Sequence, residues 1–196
     1  MLASITPLGE WGRHNSWHRT VTAHVVGSTA AALALGAALG AVGQTAGTQH
    51  ADAWRLAALA LVLAAALAVE LSGRRLPGPQ RQVDERWLDE YRGWVYGVGY
   101  GAQLGLGLTT VVVSGAIYLV LAAALLCGSA FLGATIVGIF GFVRGVTVLS
   151  TARVDSPERL RQLHARVSAS ATPVARAALV LELALLTVLT VLLLAT

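Results

Sequence analysis

Four apolar stretches, residues 20–43, 52–72, 129–150 and 172–195, constrain this chain more than any other feature. Each is long enough for a helix to cross the roughly 30 Å hydrocarbon layer of a bilayer, which takes about 20 residues. Composition points the same way. Only 12% of the 196 residues are charged and 56% are hydrophobic, whereas about a quarter of a soluble domain is charged. The expected fold is therefore all-α: an integral membrane helical bundle forming one transmembrane domain over residues 1–196.

Residues 94–127 need separate treatment. As one helix they would run roughly 50 Å at 1.5 Å per residue, too long for one straight crossing and too short for two. A single long helix, broken where Ser114-Gly115 interrupts "VVVSGAIY", satisfies both limits and brings the count to about five spans.

The cations fix the orientation. All fourteen are arginine. With five spans, the leading segment (Arg13, Arg19), the loop 73–93 (Arg74, Arg75, Arg81, Arg86, Arg92) and the loop 151–171 (Arg153, Arg159, Arg161, Arg166) fall on one side. The loop 44–51 and the "CGS" turn at 127–129 carry none. The positive-inside rule then places the N-terminus in the cytoplasm and the C-terminus outside a cell (plasma) membrane. A formal net charge of +4 is thereby used at the membrane surface, and no nucleic-acid partner is implied. The first apolar run is also longer than the 7–15 residues of a signal-peptide core, so it reads as an anchor.

Two cytoplasmic segments are amphipathic. In 83–93 and just beyond, Val83, Trp87, Tyr91 and Trp94 share one helical face, which predicts an interfacial helix with aromatics at headgroup depth. In 157–170, Ser156 stands as N-cap and Pro157 at the first helical position, with Leu160, Leu163 and Val167 on one side. Thr172-Pro173 is read as the restart of a helix for the last span. Trp17, His18 and Arg19 read as interfacial residues.

Glycine spacing raises a different question. "RGWVYGVGYGAQLGLG" contains G-x-G-x-x-A (Gly97, Gly99, Ala102), a dinucleotide-like pattern. That fingerprint needs a preceding strand, a βαβ unit and an acidic residue about 20 positions later. None is present, so no nucleotide cofactor is expected. The other spacing, Gly93, Gly97, Gly101 and Gly105, cuts a groove down one helix face for close helix packing. Gly36 with Gly40 and Gly141 with Gly145 repeat the logic. An interrupted, glycine-rich helix beside a substrate path is the alternative use.

Ionisable groups inside spans are candidate sites by default. Glu182 lies ten residues into the last span and is too short to reach water. Arg55, Glu70, Arg144 and Arg176 lie near span ends and read as interface anchors. A polar cavity is expected from Gln103, Gly105, Thr109, Thr110, Ser114, Arg144 and Glu182, with Arg144 and Glu182 pairing if their helices adjoin. His14, His18 and His24 lack partners at metal-ligand spacing. The single cysteine, Cys127, allows no intramolecular disulfide or CxxC pair. No catalytic, cofactor or metal residues are expected.

The third and fourth spans carry a family resemblance. "LTTVVVSGAIYLVLAAALL" resembles the broken first-repeat helix of CcdA/DsbD-type membrane proteins of thiol–disulfide transfer and cytochrome c maturation. "GATIVGIFGFVRGVTVL" resembles the glycine-rich helix that follows it. Where that family has Pro and a redox Cys at the break, this chain has Ser114 and Gly115. The resemblance implies a broken-helix scaffold without membrane dithiol chemistry.

The leading functional reading is a small-solute or ion permease, or its membrane subunit, within the lipid bilayer. The alternative is a non-catalytic membrane scaffold or assembly subunit of a larger complex, and a CcdA-like protein without its cysteines ranks third. A homo-oligomer or a membrane-protein partner accompanies the first two, and no enzymatic activity is expected.

Overall fold

In the computed structural model, residues 5–48, 52–74, 76–78, 86–107 and 114–195 are described, and among them all regular structure is helical. The helices are α1 (Pro7–Gly12), α2 (Trp17–Thr45), α3 (Asp52–Leu71), α4 (Trp87–Glu90), α5 (Gly93–Leu106), α6 (Ala116–Leu126), α7 (Ala130–Val146) and α8 (Pro157–Leu194). A 3-10 turn, Thr147–Thr151, extends α7. By length and composition, four of these are able to cross a membrane: α2, α3, α7 with its 3-10 extension, and α8.

Helix α2 is the centre post, with α5 and α7 laid along it and α6 against its far end. Small residues make this approach possible. A Cβ on Gly97, Gly101 or Gly105 of α5 would overlap the backbone of α2 at Thr20, His24 or Ser28. Gly36 and Gly40 of α2 meet Gly133 and Ser129 of α7 in the same way. Ser28 strengthens the seam, its hydroxyl donating to the Gly141 carbonyl at 2.7 Å. The four-residue glycine register therefore serves packing inside one chain, by letting helix backbones approach closely.

The core lies in two patches along α2. At the N-terminal end of α2, Ile5, Trp17, Val21, Tyr96, Tyr100 and Val148 pack together, with Trp87 and Leu88 against them. Farther along, Ala32, Ala124 and Val137 pack with Leu35, Leu39 and Val120. Trp17, expected at the interface, is buried here. Its neighbours come from α5 and the 3-10 turn, which the sequence does not place beside it.

Three boundaries differ from expectation. The helix expected over 94–127 is described as two: α6 starts after Ser114-Gly115, where the break was expected, but α5 already stops at Gly107, whose φ of 71° suits glycine. The segments 157–170 and 172–195 are one helix of 38 residues running through Pro173. Alanines on both sides favour the helix enough to absorb one missing backbone donor. Of the segment 83–93, Trp87–Glu90 forms a helical turn, and Val83 lies outside the described residues. Trp87 stacks on Tyr100 with ring centroids 6.1 Å apart. Gly99 leaves the room for it, since a Cβ there would lie 2.5 Å from the Trp87 ring.

The last helix is joined to the bundle along one strip. Its inward positions, Leu179, Glu182, Leu186, Leu189 and Leu193, recur every three or four residues, and its main neighbour is α3. The remaining faces, including Val180, Leu181, Val188 and Val191, are exposed, as suits a helix bordered by lipid.

Candidate functional site

The first N–H groups of a helix need acceptors from outside its own ladder, and those at the start of α6 are no exception. Side chains from two other helices supply them. Glu70, at the end of α3, accepts the Gly115 N–H at 2.5 Å through Oε1. Glu182, midway along α8, accepts the Ala116 N–H at 3.1 Å and the Ser114 hydroxyl at 2.5 Å, both through Oε1. Ser114 Oγ also lies 3.2 Å from the Ala116 N–H. Two carboxyl groups thus cap one helix, where the positive end of the helix dipole favours negative charge. Gly115 sits between them: a Cβ there would lie 3.3 Å from Glu70 Oε1, 3.6 Å from Glu182 Oε2 and 2.6 Å from the Ala66 methyl.

Only part of the residue set expected from sequence gathers here. Ser114 and Glu182 meet directly. Glu70, read as an interface anchor, belongs to the same site, because the helix break presents its donors to the end of α3. Gly105 is held in the α2–α5 seam against Ser28. Gln103 is a half-buried residue of α5. Arg144 stands over the Phe140 ring at 5.4 Å and beside Gly107, and no ion pair to Glu182 forms. Thr109 and Thr110 lie outside the described residues. His24 is buried in the α2–α5 seam and hydrogen-bonded to the backbone of Gly97. No group of three potential metal ligands occurs among the described residues.

A second polar centre lies at the N-terminal end of α2, and sequence reasoning missed it. Glu10 is 0% exposed. Its Oε2 accepts the Thr20 hydroxyl at 2.8 Å, and its Oε1 accepts Arg13 Nη2 at 2.8 Å and the Tyr96 hydroxyl. Arg13 also lies 5.8 Å from the centre of the Tyr96 ring. Burial works against the Arg13 charge, yet its hydrogen bonds to Glu10 and Tyr96 outweigh this and hold its pKa above the usual value. The local signal was Thr6-Pro7, which starts α1 with Thr6 accepting the Gly9 N–H at 3.0 Å. That turn aims Glu10 inward. Its partner Tyr96 lies 86 residues away, beyond any local pattern.

A cleft of 540 Å³ opens between the 3-10 turn and the start of α8, lined by Leu149, Arg153, Val154, Arg159, Leu163 and Arg166. Arg159 is paired with Asp155 at 2.5 Å. No ion pair is seen for Arg153 or Arg166 among the described residues, so the cleft presents net positive charge.

Comparison with known proteins finds three relatives of one name. The chain is 35% identical over 151 residues to the methylamine utilization protein MauF of Paracoccus versutus, covering 75% of this chain and 55% of that protein. It is 31% identical over 134 residues to MauF of Methylobacillus flagellatus, covering 67% and 47%. It is 34% identical over 138 residues to MauF of Paracoccus denitrificans, covering 69% and 50%. The chain thus spans about half the length of the curated relatives it matches. No family model matches the chain, and no solved structure does.

These relatives correct two expectations. The resemblance to CcdA/DsbD-type proteins rested on small residues around a helix break, and the proteins actually similar to this chain are MauF proteins. Gly133, Gly138, Gly141 and Gly145, which carried part of the resemblance, are glycines that a helix packed this closely on α2 requires. The permease reading falls with it: the relatives are named for methylamine utilization, and the transport role lacks support.

Proposed function

We propose that this chain is a non-catalytic membrane subunit that serves methylamine utilization as an accessory or assembly component. The observation that carries the reading is the similarity, over two thirds or more of the chain, to MauF proteins of three bacteria. Helix lengths and composition support a five-span bundle in the cell membrane, with α5 and α6 together forming the third crossing. The arginine distribution supports a cytoplasmic N-terminus and an outer C-terminus.

The geometry suits a subunit that is rigid at its centre and presents surfaces at its edge. The glycine-lined faces are occupied within the chain, so a partner docks elsewhere. The arginine-lined cleft beside α8 gives an acidic partner segment a cytoplasmic foothold, and α8 itself offers an apolar face. A second copy of the chain is the other partner compatible with that face.

Deletion of the gene in its host tests the proposal. Growth with methylamine as the required nutrient is expected to fail, growth without that requirement to be normal, and the wild-type gene to restore the loss. Unimpaired growth on methylamine would refute the accessory role.

A further inference from the structure

The cap of α6 contains a polar atom that the fold leaves unanswered. Glu182 is 2% exposed, and while its Oε1 takes two hydrogen bonds, its Oε2 has no donor. Oε2 points toward the position of Gly115, where Glu70 Oε1 also converges. Both acids border the same small space, since a Cβ on Gly115 would lie 3.3 Å from Glu70 Oε1 and 3.6 Å from Glu182 Oε2. Ionised carboxylates only accept hydrogen bonds, so two of them face to face would leave Oε2 unsatisfied and set like charges together.

No neighbouring cation among the described residues relieves this. Neither glutamate has an ion-pair partner among the described residues. On α3, the other charged side chains, Asp52 and Arg55, lie at the opposite end and pair with each other at 3.2 Å. Arg74 follows α3 without an ion pair to either acid. On α6, Tyr118 donates its hydroxyl to the Pro77 carbonyl. On α8, Arg176 precedes Glu182 by six residues, roughly 9 Å along the axis. On α7, Arg144 lies over Phe140. Two negative charges bordering one space without a counter-ion are costly, the more so because Glu182 is buried, and carboxyl pairs that share a site retain a proton.

We propose that Glu70 and Glu182 hold one proton between them, a shared carboxyl–carboxylate hydrogen bond that fastens the start of α6 to both α3 and α8. The proton gives Glu182 Oε2 the partner it lacks and leaves a single negative charge on the pair, which the α6 N–H groups and helix dipole accommodate. Gly115 is required because a side chain there would enter the space between the two acids. This site is independent of the methylamine reading.

Infrared difference spectra of the full chain in detergent, in H2O and D2O, test it. At neutral pH the wild type is expected to show the carbonyl stretch of one protonated carboxylic acid, shifted by deuterium. Either Glu70→Gln or Glu182→Gln is expected to abolish that band, because the new amide donates to the remaining carboxylate and removes the need for a proton. Absence of the band in the wild type would overturn the proposal. So would its survival in one of the two variants, which would assign the proton to a single acid. Loss of the band on adding sodium or magnesium at constant pH would also overturn it, by assigning the site to a cation. A carbodiimide that labels protonated buried carboxyls gives a readout in the wild type alone. Mass spectrometry is expected to find the adduct on Glu70 or Glu182 at neutral pH, and an unlabelled pair would contradict the shared proton.

Discussion

Replacing Gly97 by alanine tests the packing argument, because two opposing effects can be weighed from the structure. In an open helix, Gly→Ala is worth about 1 kcal/mol in favour of the helical state. At Gly97 the added methyl would lie 2.6 Å from the Thr20 carbonyl oxygen and 3.2 Å from the Ala23 methyl. Reaching the 3.4 Å of ordinary contact requires the α2–α5 seam to open by roughly 0.8 Å, a gap that forfeits between a quarter and a half of each dispersion contact along it. Overpacking of this kind costs about 3 kcal/mol. Overlap therefore wins, with a net loss of about 2 kcal/mol, or a fall of about 4–8 °C in melting temperature for a chain of this size. Gly12, the last residue of α1, has nothing within 4 Å of its Cβ position, so Gly12→Ala is expected to hold or raise the melting temperature. Cys127 is the sole cysteine, and a thiol-reactive fluorophore reports unfolding through it. If Gly97→Ala melts at or above the wild-type temperature while Gly12→Ala behaves as stated, the close-packed seam is wrong.

Three further outcomes follow from the same reasoning. Tyr96→Phe removes a donor to buried Glu10 and is expected to cost about 1.5–3 kcal/mol; a double-mutant cycle with Glu10→Gln should show coupling, and additive losses would contradict the network. Asp52→Asn breaks an ion pair whose Asp52 side chain is 84% exposed, so its effect on melting should stay within about 0.5 kcal/mol. The charge reversals Arg153→Glu and Arg166→Glu together should weaken growth on methylamine while the protein's membrane level, read by immunoblot, is unchanged; full growth would remove the cleft from the partner surface.

Much of the architecture was legible because long apolar runs leave few choices of structure. Four apolar runs of sufficient length were visible as helices, and the glycine register of 93–105 predicted a close helical contact, though not that α2 is the helix it fits. Glu182 stood out because a carboxylate ten residues into an apolar run has few local explanations. Its companion was not legible. Glu70 looked like an end-of-helix anchor, and only the start of α6 beside the end of α3 brings a donor to it. Arg144 was paired with Glu182 on the assumption that α7 and α8 adjoin, whereas α8 takes α3 as its neighbour. Glu10 was hidden for a similar reason: its ligands come from α1, α2 and α5 at once. Sequence periodicity describes one helix at a time, and these sites are made between helices.

The anchoring of the N-terminal segment has a consequence for biosynthesis. The Thr151 hydroxyl donates to the Ile5 carbonyl at 2.8 Å across 146 residues, and the Leu8 N–H reaches the Val154 carbonyl at 3.1 Å. On a ribosome adding about 5–20 residues per second, the first helix waits on the order of 10–30 s for the surface that receives it. Tyr96 follows Glu10 by 86 residues and Thr151 comes later still, so α1 is made well before the surfaces that fix it.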